Sequence, residues 1–109
     1  MQDWYLTRAK IKFPEIAEPI LSYFENMNVS PKGLFIKRMN NRWGSCTRSG
    51  KIILNTELIK APRACIEYVI IHEMCHLLHT NHTKKFFSLL STIMPDWEKW
   101  KNKLERVMR

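Results

Sequence analysis

Between Pro62 and Thr80 the chain carries Ala64, Ile66, Val69, Ile70, Ile71, Leu77 and Leu78, enough apolar side chains to cover nearly the whole circumference of an α-helix. A helix of that kind has no broad face to give to water and is buried on most sides. Other elements must therefore pack around it. Into its C-terminal half and just beyond, the sequence sets every histidine it has: His72, His76, His79 and His82 fall within eleven residues, with Glu73 beside the first.

At about 100° per residue, His72 and His76 stand about 40° apart on one helix face, one turn from each other, so both rings can reach a single ion. Glu73 is displaced enough to miss the ion and touch a water bound to it, which is the spacing of the His-Glu-x-x-His zinc helix. An unbroken helix cannot supply a third ligand. His79 lies on the right face but about 10 Å along the axis from His72, and Zn–N bonds are about 2.0–2.1 Å. A chain reversal is required, and Asn81, tolerant of left-handed backbone geometry, is read as supplying it, so that His82 turns back toward the ion.

The expected ligands of one Zn2+ are thus His72, His76 and His82, with Glu73 as the catalytic residue. His79 is read as lying outside the ligand set, either behind it or on the surface. Asp96 and Glu98 are weaker ligand candidates, and Cys75, directed away from Glu73, is read as packing. Three neutral imidazoles leave the ion its charge and an open fourth position. Water there becomes acidic, and Glu73 can take its proton during attack on a carbonyl and deliver it to the leaving amine. The chemistry expected is metal-assisted hydrolysis of a peptide bond.

The rest of the chain supplies what packs on this helix. After an irregular basic start holding Arg8, Lys10 and Lys12, the steps between Ile16, Ile20, Tyr23, Phe24 and Met27 predict an amphipathic helix over about 14–27, with Pro14 in its first turn and Pro19 marking a late start or a bend. Short Ile-, Phe- and Trp-containing segments broken by Asn40-Asn41 and Ser49-Gly50 predict a three-stranded meander, about 34–39, 42–47 and 51–55. The zinc helix covers about 62–80. Thr83 caps a helix over about 83–94, and Pro95-Asp96 precedes a last amphipathic helix over about 96–108 carrying Trp97, Trp100, Leu104 and Val107. With 109 residues and no linker or repeat, this is read as a single α+β domain spanning 1–109.

Asn41-Arg42-Trp43-Gly44-Ser45-Cys46, Gly50-Lys51-Ile52-Ile53-Leu54-Asn55, Tyr68-Val69-Ile70-Ile71-His72-Glu73, Asn81-His82-Thr83 and Pro95-Asp96, in that order, make the chain resemble the YgjP-like and SprT-like metallopeptidases over about residues 33–105. The resemblance implies a compact zincin-like fold. In it a small antiparallel sheet packs on the active-site helix between flanking helices, and the edge strand receives an extended substrate. It also implies zinc on His72, His76 and His82 and the catalytic role for Glu73. Its post-ligand helix often has Trp after the Phe, where this chain has Phe86-Phe87. No attached DNA-binding module is recognised, so a DNA-repair role is not expected. By length and general type the chain is also similar to the selecase-like minimal peptidases, which self-associate and occlude their cleft.

Gly44 is read as permitting a close backbone approach, and Trp43 as packing that fixes the sheet over the helix or, less readily, as a cleft wall. Arg42 and Tyr68 are candidates to stabilise an oxyanion. Charge adds a second theme. Eighteen Lys and Arg against ten Asp and Glu give +8, and between Glu25 and Glu57 there is no acid, while Lys32, Lys37, Arg38, Arg42, Arg48 and Lys51 fall there. Such a face attracts weak DNA binding or an acidic partner, or is simply solvated. The function expected is therefore a zinc endopeptidase acting on flexible or unfolded polypeptides. Its competitors are a nucleic-acid-binding module with a structural or vestigial metal, and a metal-dependent hydrolase of nucleotide phosphoanhydrides. Met94, Trp97, Trp100 and Met108 suggest concentration-dependent self-association. Cys46, Cys65 and Cys75 are read as reduced; no export signal and no membrane-length apolar run is visible, so a cytoplasmic location is expected.

Overall fold

The computed structural model describes residues 2–107, without the side chains of Gln2, Asp3 and Val107; Met108 lies outside the described residues. Eight elements follow one another: α1 (Gln2–Glu25), β1 (Gly33–Lys37), β2 (Gly44–Cys46), β3 (Lys51–Asn55), a 3-10 helix (Thr56–Lys60), α2 (Arg63–Leu78), α3 (Lys84–Ile93) and α4 (Trp97–Val107). The class is α+β. As the apolar run requires, α2 is the centre: α1, α3, α4, β2 and β3 all pack on it. Its Cys65, Ile66, Val69, Ile70, Ile71, Met74 and Cys75 are buried.

Two expectations about the first half of the chain are corrected. The first helix does not begin near Pro14. It starts at Gln2 and runs through both Pro14 and Pro19. Ala9, Phe13, Ile16, Ala17, Ile20 and Phe24 form one buried stripe at helical spacing that crosses both prolines. Both rings lie on the exposed face, so the backbone carbonyls that lose a partner can turn to water. The helix ends where Asn28 takes a left-handed conformation (φ 61°) and Val29 N–H returns to the Phe24 carbonyl at 3.0 Å.

The sheet is mixed, not an antiparallel meander. Its order is β1-β3-β2, with β1 parallel to β3 (Gly33 opposite Lys51 through Lys37 opposite Asn55) and β2 antiparallel to β3 (Gly44 opposite Leu54 through Cys46 opposite Ile52). Asn40-Asn41 is therefore part of a crossing and not a hairpin turn. The chain leaves β1, passes over the end of β3 and enters the far edge as β2. Asn55, 3% exposed, holds this crossing: its Nδ2 donates to the Met39 carbonyl at 2.9 Å and the Arg42 carbonyl at 2.7 Å, and its Oδ1 accepts Glu57 N–H at 3.0 Å. The last contact starts the 3-10 helix. In β3 the alternation puts Ile52 and Leu54 into the core.

The remaining helices follow their patterns. Thr83 caps α3, its Oγ1 accepting Phe86 N–H at 3.4 Å. On α4 Leu104 is buried, while Trp97 and Trp100 pack against the core. Met94 is also buried, while Trp97 and Trp100 are only partly buried. No described helix is long and apolar enough to cross a membrane.

Candidate metal centre

His72 and His76 project from one side of α2, and the chain does reverse after it. α2 stops at Leu78; His79 is extended (φ −132°, ψ 102°), its N–H still donating to the Cys75 carbonyl at 2.9 Å. Thr83 N–H then donates to the Asn81 carbonyl at 2.8 Å, closing a tight turn that leads into α3. The expected left-handed Asn81 is a correction: Asn28 alone among described non-glycine residues has positive φ. One extended residue followed by a turn into a Thr-capped helix achieves the same reversal without that conformation.

The reversal brings His82 onto the pair. One ligand nitrogen from each of His72, His76 and His82 lies within 4.8 Å of the others, and among the described residues this is the cluster of metal-ligating groups. His76 Nε2 and His82 Nε2 are 3.1 Å apart. Two nitrogens bound to one zinc at the tetrahedral angle would stand roughly 3.3 Å apart, given Zn–N bonds of about 2.0–2.1 Å. The donor set also fits a divalent transition-metal ion, since imidazoles suit zinc, copper, iron and nickel alike. His79 does not join the cluster through its ring. Burial holds the His76 imidazole below its ordinary pKa, so it is neutral near pH 7, the form a metal needs.

Glu73 is 7% exposed, and its Oε2 lies 3.3 Å from His72 Nδ1. The opposite wall is β2. A methyl group on Gly44 would stand 2.8 Å from Val69 Cγ1 and 3.2 Å from Glu73 Cγ, so only glycine lets the strand approach this closely without displacing the carboxylate. Between β2 and α2 opens a groove of about 540 Å3, with Arg42, Cys46 and Arg48 on one side and the three histidines and Glu73 on the other. Burial, and then the nearby Glu73 carboxylate, raise the Cys46 pKa and favour the protonated thiol. Cys75 is fully buried and pushed up to about 12 by burial, in keeping with packing.

The other candidates are placed plainly. Asp96 Oδ2 accepts Trp100 Nε1–H at 2.9 Å, and neither it nor the exposed Glu98 joins the cluster. Trp43 packs against the core and lines a separate hollow beside Asn55. Tyr68 is buried, stacks on Trp97 (centroids 6.3 Å, 11°), and is pushed up to about 12, first by burial and then by Glu73 and Glu105. Phe86 stands in the sequence only as an apolar residue of the post-ligand helix, with no role at the site. Fully buried, it sets its ring 5.2, 4.7 and 4.8 Å from those of His72, His76 and His82, forming a floor under all three. The available signal was its position, four residues after His82 on the inner face of a Thr-capped helix.

Compared with known families, residues 1–107 match the sequence model described as YgjP-like, metallopeptidase domain. No curated protein matches the chain.

Proposed function

The chain belongs to the YgjP-like metallopeptidase family, and on that premise we propose that it is a zinc-dependent endopeptidase acting on flexible or unfolded polypeptides. The observation that carries the reading is the convergence of His72, His76 and His82 beside a buried Glu73 in an open groove. When bound, a zinc ion on three neutral imidazoles lowers the pKa of a water toward about 7 and polarises a carbonyl. Glu73 handles the proton: it accepts it on a carboxylate oxygen as the peptide carbonyl is attacked and gives it to the departing amine.

The outer edge of β2 holds the substrate. Asn55 N–H donates to the Trp43 carbonyl (3.0 Å) and Thr47 N–H to the Lys51 carbonyl (2.9 Å). Antiparallel alternation then turns the backbone groups of Gly44 and Cys46 outward, free for an extended chain. Recognition through main-chain groups favours segments that can extend, hence flexible ones. The phosphoanhydride alternative lacks a Gly-rich phosphate loop, since Gly33, Gly44 and Gly50 lie in strands and a hairpin turn.

Purified protein with one equivalent of zinc is expected to cleave a disordered polypeptide, to stop on chelation and to recover when zinc is returned. Phosphate or pyrophosphate release from nucleotides under the same conditions, with the polypeptide intact, would replace this reading by the phosphoanhydride one.

A further inference from the structure

One wall of the groove carries positive charge with no carboxylate paired to it. Elsewhere, Lys12, Lys60, Arg63 and Lys101 each have a carboxylate nearby, at 3.9, 2.7, 3.4 and 3.7 Å. Arg42 and Arg48, at the two ends of β2, have none among the described residues; Arg42 donates only to Ser45 Oγ at 3.4 Å. The segment that builds this wall is also the acid-free stretch between Glu25 and Glu57. The one carboxylate in the groove, Glu73, belongs to α2 and is almost wholly buried.

We infer that the groove selects polypeptides with acidic side chains on both sides of the cleaved bond, held by Arg42 and Arg48. An extended segment on the outer edge of β2 passes both arginines, whose Cα atoms six residues separate by at most about 20 Å. Guanidinium forks bind carboxylates through paired N–H donors. A single nucleic-acid strand is the poorer fit. Grooves for single strands combine positive charge with aromatic platforms on which bases stack, and no Phe, Tyr or Trp lines this one. The inference rests on the endopeptidase reading, and its test must separate the two.

Three labelled disordered peptides of equal length, with Glu, Ser or Lys flanking a common centre, are titrated into the Glu73→Gln protein and followed by fluorescence anisotropy. The Glu peptide should bind about tenfold more tightly than the Ser peptide at low salt, the Lys peptide least tightly, and the difference should shrink as salt rises. Adding Arg42→Glu and Arg48→Glu should invert the order without changing zinc affinity. A charge-matched control, Lys10→Glu with Lys99→Glu, should not. Equal binding of the three peptides, or an order that survives the arginine replacements, overturns the inference. So does displacement of the Glu peptide by an oligodeoxynucleotide of equal charge at lower concentration than by unlabelled Glu peptide. Arginine-dependent binding without turnover by zinc-loaded wild type would keep the inference and remove the endopeptidase reading. Equal cleavage of all three peptides by the wild type would do the reverse.

Discussion

Replacing Glu73 by Gln should leave zinc bound and lower kcat for peptide cleavage by about 10²- to 10⁴-fold, the contribution typical of a positioned proton-transfer group. Gln has the same shape, so it fits beside Gly44, where even a methyl group on the strand would crowd the carboxylate. Its amide oxygen can still accept a hydrogen bond from His72 Nδ1, which now stands 3.3 Å from Glu73 Oε2. It cannot take a proton. The ligand set of imidazoles is untouched, so a chelator competition should give the same zinc affinity as wild type. Wild-type kcat with Gln at this position would remove Glu73 from the chemistry.

Phe86→Ala should cost about 3–5 kcal/mol of stability, as emptying a buried aromatic site does, and weaken zinc binding as well. The ring is 0% exposed and touches all three histidine rings edge-on or tilted, so its loss lets the ligands relax apart. Stability alone does not isolate that second effect. Phe86→Leu refills most of the volume and should recover most of the stability, yet retain a loss of about tenfold in zinc affinity, within the range seen when groups supporting metal ligands are altered. Denaturant titration of the apo-protein and chelator competition read the two quantities separately. A Phe86→Leu protein with wild-type affinity would make Phe86 a core residue and nothing more.

What could be read in the sequence was what short stretches determine by themselves. The spacing of His72 and His76 on one helix, the burial of that helix on most sides, the Thr83 cap and the need for a reversal before His82 all follow from local periodicity and bond lengths. The reversal's form did not, because a left-handed residue and a tight turn after one extended residue redirect the chain equally well. Strand pairing depends on contacts far apart in sequence. Nothing in Leu34–Lys37 tells it to lie parallel to β3 and not against β2, and the side chain that holds the crossing, Asn55, does so by reaching back to the carbonyls of Met39 and Arg42. Pro14 and Pro19 misled for a related reason: a proline's cost in a helix depends on whether the freed carbonyl can find water, which only the packed helix reveals. Phe86 looked like one more apolar residue, since an aromatic floor under three ligands is a property of two helices meeting.

The central claim is that the imidazoles of His72, His76 and His82 grip one ion together, with His79 outside. Cobalt(II) loaded in place of zinc reports it directly, because its visible absorption distinguishes a four-coordinate site from an octahedral one. One equivalent should give the intense bands of a tetrahedral site, unchanged in His79→Ala and lost in His82→Ala. Bands that persist without His82, or vanish without His79, would contradict the account.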